Sequence, residues 1–259
     1  MGTIVTIHVV DDRAGADAAI ERAFGWFRDI ESRCTKFDAA SELMQLCARP
    51  GSAARVSPIV FEAVRFAVAV AKDTGGAFDP TTGSAPGVSY RDVVIDPDAR
   101  TVALQRPLAL DLGAVAKGLA VDAAARELKR YRDFAIDAGG DLFLGGCNAE
   151  GAPWTVGIRH PREDGHLLGV ARVSDLAVCT SGDYERPEHI VDARTATPPT
   201  TVASVTVVAP GAMLADALGT AAFVLGPSEG LRLLQRHGVE GLIVTTELEQ
   251  LETARFPRA

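Results

Sequence analysis

The chain has 259 residues, 47% of them apolar and 23% charged, which predicts a soluble globular protein with a sizeable core. A net charge of −8 leaves no basic footprint for nucleic acid, so any bound polyphosphate must be neutralised locally by a helix terminus, a lysine or a cation. Cys34, Cys47, Cys147 and Cys179 are scattered, with no CxxC pair and no neighbouring histidines, which argues against a zinc site or a disulfide framework.

Residues 2–10 are rich in β-branched side chains and predict a first strand, closed by Asp11-Asp12, which suit a helix cap. Ala19, Ala23, Trp26, Phe27 and Ile30 recur at helical spacing and predict a helix over 16–30. The polar loop from Cys34 to Glu42 carries one aromatic, Phe37, whose plain reading is a core or lid side chain. A short helix follows at 41–47. Ser57-Pro58 opens the next helix in the N-cap-then-proline manner, and Gly75-Gly76 stops it. Ala77-Phe78-Asp79-Pro80-Thr81-Thr82-Gly83 reads as a loop shaped by its proline and glycine, and Asp79 beside two threonines is what a self-bonded turn contains. Residues 88–95 and 101–104 predict a hairpin around Asp96-Pro97-Asp98.

The chain is organised around Leu110-Asp111-Leu112-Gly113-Ala114-Val115-Ala116-Lys117-Gly118. An apolar, strand-like run carries Asp111, Gly113-Ala114 turns the chain, and a helix opens with Lys117 in its first turns and continues to about residue 130. Unpaired N–H groups at the head of a helix, with a lysine and a carboxylate beside them, form a cradle for phosphate. Strands at 134–137 and 142–144 then flank Ala138-Gly139-Gly140-Asp141, which suits either a tight sheet corner or close approach to a ligand. Short strands at 154–158, 169–173 and 176–179 follow, and residues 180–186 read as a polar loop leading to His189. A strand at 202–208 ends at Pro210-Gly211. A small-residue helix covers 212–225, another runs from 227 or 228 to 235, and strands at 241–245 and 251–256 close the chain. No repeat or linker divides residues 1–259, so they are read as a single domain of two intimate subdomains. No apolar run is long enough for a bilayer and no leader-like segment opens the chain, so the expectation is a cytoplasmic protein, or a periplasmic one if a leader has been removed.

Asp216 and Thr220, spaced i, i+4, lie on one face of a predicted helix. Either they satisfy themselves with nearby backbone, or their oxygens serve a hard cation such as Mg²⁺. His189 is one of five histidines and reads as a surface side chain or a general base. The glycine-rich loops match neither GxGxxG after a strand nor GxxxxGK[ST], which excludes the Rossmann and P-loop fingerprints.

Eight motifs in order carry a stronger signal. They are Met1-Gly2-Thr3, Ser41-Glu42, Ala77-Phe78-Asp79-Pro80-Thr81 with Gly83, and Leu110-Asp111-Leu112-Gly113 with Ala116-Lys117-Gly118. Ala138-Gly139-Gly140-Asp141 follows, then Thr180-Ser181-Gly182-Asp183-Tyr184, His189-Ile190-Val191-Asp192 with Arg194-Thr195, and Ala215-Asp216-Ala217-Leu218 with Thr220-Ala221. Together they resemble the ApbE family, the FAD:protein FMN transferases. The resemblance implies an α+β, bipartite fold, with mixed or antiparallel sheets flanked by helices around a central cleft. It implies FAD as substrate, Mg²⁺ at its pyrophosphate, and transfer of FMN to a threonine of an acceptor protein with release of AMP. Some members only hydrolyse FAD, and an FAD carrier without catalysis is a further alternative. Carried over by residue, the carbonyl of Ala114 with Asp216 and Thr220 would hold Mg²⁺. Met1, Phe37, Ala77, Phe78, Asp79, Asp111, Lys117 and Ile190 would line the FAD site, and His189, Asp216 and Lys117 would act in catalysis. Phe37 stands where the family often has tyrosine. Asp192-Ala193-Arg194-Thr195-Ala196 stands where it usually has Asp-Pro-Arg-Thr-Gly. The segments usual after Gly83 and between Tyr184 and His189 are nearly absent.

Overall fold

In the structure, a computed structural model that describes residues 2–10, 14–184 and 190–259, these patterns become twelve strands and six α-helices. Strand β1 (Val5–Val9) leads to α1 (Ala16–Cys34) and α2 (Glu42–Cys47), and β2 (Ala53–Arg55) to α3 (Pro58–Asp73). Strands β3 (Val93–Asp96) and β4 (Thr101–Leu104) form a hairpin ahead of α4 (Gly113–Leu128). Strands β5 (Phe134–Ala138), β6 (Leu142–Gly145), β7 (Trp154–Arg159), β8 (Leu167–Val173), β9 (Leu176–Gly182) and β10 (Val202–Ala209) precede α5 (Ala212–Leu225) and α6 (Pro227–Arg236). The chain closes with β11 (Glu240–Thr245) and β12 (Gln250–Glu252).

The expected start signals operate as capping chemistry. Ser41 Oγ accepts from the Met44 N–H at 3.1 Å, and Ser57 Oγ accepts from the Val60 N–H at 3.4 Å with Pro58 at the first helical position. Four expectations change. Residues 90–92 form a 3₁₀ turn closed by a Ser89–Asp92 capping box, so the hairpin strand starts only at Val93. Leu110–Leu112 is not a strand. A short strand, β2, was not foreseen and pairs with β4. Thr180-Ser181-Gly182 is not loop but the end of β9, paired with Thr206, Val205 and Ser204 of β10.

Seven strands form the main sheet in the order β1-β5-β6-β9-β10-β11-β12, and every ladder among the described residues is antiparallel. Alternation sends Ala177 and Cys179 of β9, with Val205 and Val207 of β10, into the core shared with the helices. Val178, Val208, Leu242 and Val244 face the other way, into a second core under the β7–β8 hairpin with Ile158, Val173 and Phe256. Strand β10 is therefore buried along its whole length. Helices α4 and α5 lie against each other in the first core, and their alanines and glycines allow close approach. No helix among the described residues is long and apolar enough to cross a membrane.

Candidate active site

The predicted site residues fall into an outer loop group and an inner charged cluster. The outer group gathers at the head of α4. Asp111 Oδ1 accepts from the Gly113 N–H at 2.9 Å, its backbone N–H donates to the Pro80 carbonyl at 2.7 Å, and Lys36 Nζ pairs with Asp111 Oδ2 at 2.5 Å. Three segments distant in sequence thus meet at one residue. Phe37, beside Lys36, is 87% exposed, which excludes a core role and leaves an aromatic face open to solvent with the Lys36 ammonium 5.4 Å from its centroid. Ala77 and Phe78 are buried.

Asp79 makes the turn that its neighbours suggest. Its Oδ1 accepts from the Thr81 N–H and hydroxyl at 2.8 and 2.7 Å, and its Oδ2 from the Tyr90 N–H at 3.0 Å. It also lines an open pocket of about 240 Å³ with Gly75, Gly76, Tyr90, Arg91 and Arg194. Enclosing pockets for drug-sized ligands run to roughly 300–1,000 Å³, so this one suits part of a dinucleotide rather than the whole. None of Lys117, Asp141 or Asp216 lines it.

The inner cluster is built by α4, the β5–β6 corner and α5. Lys117 Nζ lies 2.8 Å from Asp141 Oδ2, close enough for an ion pair but not aligned as a hydrogen bond. Asp216 on α5 is buried, and its Oδ2 has no hydrogen-bond partner. Burial works against the Lys117 ammonium, but the charges of Asp216 and Asp141 outweigh it and hold the group above its ordinary range. Burial, reinforced by the Asp141 charge and opposed by Lys117, pushes Asp216 well above the usual carboxylate range. With Asp141 paired to Lys117, Asp216 is the acid whose charged form is disfavoured by its surroundings. Cys179 is driven well upward by burial and then by the charges of Asp141 and Asp216, so it stays a neutral thiol and no nucleophile.

The donor set fits a hard cation. Among the described residues no group of three or more His, Cys, Asp or Glu side chains could hold a metal, so a cation at Asp216 would need hydroxyl, carbonyl or substrate oxygens as well. Thr220 is half-buried one turn along α5, and the partly exposed Ala114 sits in the first turn of α4. Ile190 is buried. Met1 and His189 lie outside the described residues. Asp141 is the site residue that sequence reasoning missed. Its Ala138-Gly139-Gly140-Asp141 run suits either a tight sheet corner or close approach to a ligand, and no local pattern announces a partner on α4.

A model of the ApbE family matches residues 1–86 and 84–243. The FAD:protein FMN transferase of Treponema pallidum (strain Nichols) is 32% identical over 94% of this chain and 82% of its own length. The protein of that name from Haemophilus influenzae is 25% identical over 95% and 85%. The crystal structure of an ApbE protein from Thermotoga maritima superposes with a TM-score of 0.91 at 27% identity, covering 100% of this chain and 97% of that one. The flavin transferase ApbE from Vibrio cholerae gives 0.86 at 25% identity, covering 98% and 94%. On motif order, fold and these matches, the chain belongs to the ApbE family.

Proposed function

We propose that this chain is an FAD:protein FMN transferase that splits the pyrophosphate of FAD and passes FMN to a threonine hydroxyl of an acceptor protein, releasing AMP. The observation that carries the reading is the cluster of half-buried Lys117 with the buried acids Asp141 and Asp216 and its unpartnered carboxylate oxygen, beside the first turns of α4. Phosphoryl transfer depends mostly on positioning and on neutralising charge, and that cluster provides a paired ammonium in a partly desolvated site. Lys117 stabilises the charge that grows on the oxygen leaving with AMP. Asp141 holds that ammonium in place. Asp216, the Thr220 hydroxyl and the Ala114 carbonyl would hold Mg²⁺, which supplies positive charge at the pyrophosphate. His189 takes the hydroxyl proton as the threonine oxygen attacks the FMN phosphorus. A new phosphoester bond forms, the pyrophosphate bond breaks, and the electron pair leaves with AMP. Phe37 offers its exposed ring for stacking on a ring of FAD, while Met1, Ala77, Phe78, Asp79, Asp111 and Ile190 bind the rest.

Incubation with FAD and Mg²⁺, with and without a threonine-containing acceptor peptide, and resolution of products by mass tests this. FMN-modified peptide and AMP are expected. Free FMN and AMP with the peptide unmodified would replace transfer by hydrolysis, and intact FAD in a folded sample would overturn the enzyme reading altogether.

A further inference from the structure

Helix α5 begins without a cap of its own, because Gly211 brings no side chain. Its first two N–H groups, from Ala212 and Met213, instead donate to Asp122 Oδ1 and Oδ2 on α4 at 2.6 and 3.1 Å. A side chain at residue 211 would come within 3.0 Å of that carboxylate. One turn earlier on α4, a side chain at residue 118 would come within 2.5 Å of the Met213 backbone. Gly118 and Asp122, spaced i, i+4, thus form one strip of α4 against which the α5 backbone sits directly. The Ala212 carbonyl also receives a weak contact from Cys179 Sγ at 3.6 Å. Lys117 adjoins this strip, and Asp216 follows Met213 by one turn, so the separation of the site's ammonium from its unpartnered carboxylate depends on where Asp122 holds the head of α5.

We infer that Asp122 is a positioning residue of the flavin-transfer site, fixing α5 so that Asp216 faces Lys117 at the spacing the cation and pyrophosphate require. This rests on the transferase reading. An acid spanning two N–H groups also offsets the positive end of the α5 dipole, and a carboxamide can do only half of this, accepting one bond and turning an NH₂ toward the other donor.

The test compares Asp122→Ala and Asp122→Asn with Val244→Ala, a truncation in the second core on the far face of the sheet. Two quantities are read on the full chain with FAD: the rise in melting temperature that Mg²⁺ produces, and the Mg²⁺ concentration giving half-maximal transfer. For Asp122→Ala the half-saturating Mg²⁺ should rise about tenfold or more with KM for FAD held within about twofold, and the Mg²⁺-induced melting shift should shrink. Asp122→Asn should fall between Asp122→Ala and wild type, and it decides the matter if Asp122→Ala does not fold. Val244→Ala should lose melting temperature yet respond to Mg²⁺ as wild type does. Asp122 variants that only melt earlier, with wild-type Mg²⁺ response, would overturn the inference and leave Asp122 a helix cap. A wild-type protein that responds to Mg²⁺ in melting but transfers no FMN overturns the transferase reading alone, and the melting shifts still decide the role of Asp122. A wild-type protein with no Mg²⁺ response overturns both.

Discussion

The junction of α4 with α5 and the turn after Ile190 both border the site, and they are held in place by different means. At the junction, backbone meets backbone at Gly118, Asp122 takes two N–H groups from another helix, and Lys117 and Asp216 follow rigidly from that packing. The turn is secured by its own residues. The Asp192 carboxylate accepts from the Arg194 N–H, Nε and Nη2 at 2.9, 2.8 and 2.7 Å, and the Ala196 N–H donates to the Asp192 carbonyl at 2.7 Å. This chain keeps the aspartate and arginine of the family pattern, which brace the turn, and has alanine in place of its proline and glycine. It also accepts an alanine at φ +58, a conformation that glycine adopts without strain. The inner site is specified by tertiary packing and the rim by local bonds, so damage should spread from the first and stay confined in the second.

Substitutions can break or sharpen that contrast. Asp141→Ala removes the partner of a half-buried ammonium, and its cost should fall below the roughly 3–5 kcal/mol for breaking a buried pair, because solvent and Asp216 can take over; urea unfolding measures it. Asp216→Ala should lower kcat by at least about 100-fold, the scale for removing a group that stabilises transition-state charge, while FAD binding followed by flavin fluorescence weakens far less. Wild-type activity in that variant would refute the metal assignment. On the rim, Ala196→Gly should stabilise the protein by up to about 1 kcal/mol, since relief of the left-handed strain exceeds the added freedom of the unfolded chain. The smallest effect is one of pH. Hydrogen bonding to Arg194 holds Asp192 below its ordinary value of 3.8, so the brace contributes stability above that value and loses it as pH falls below. Proteolysis within residues 190–197 should therefore rise below about pH 4 in wild type, and Arg194→Ala should show the same susceptibility at neutral pH.

Much of the fold was legible where punctuation was strong. The bounds of α5 match the sequence expectation because Gly211 and Gly226 flank a run of small apolar residues, and α3 was marked by Ser57-Pro58 and Gly75-Gly76. The end of β9 was misread because polarity was taken for loop. Thr180 meets the Thr206 hydroxyl at 3.0 Å across the ladder, so its polar group is satisfied inside the sheet. In the site, Lys117 and Asp216 could be found because each stands in a recognisable local run. Asp122 could not, and Asp141 stands in such a run without showing its role, since what matters about each is a contact with a distant element. Asp79 illustrates the converse: a residue carried over as a ligand contact has both carboxylate oxygens engaged in its own turn and in the Tyr90 backbone.

The complete burial of β10 gives the molecule two clocks. Its amides lie in the middle of the sheet with a core on either face, so they exchange with solvent only when the whole protein opens. Helix α5 is reached from β10 through the two-residue break at Pro210-Gly211, and its head is clamped to α4. The acid at the heart of the site should therefore keep its place over the lifetime of the native state. The loop with Phe37 and the turn at Asp192, held by side chains near solvent, should open on far shorter times. A substrate can then come and go at the rim without disturbing the charges that await it inside.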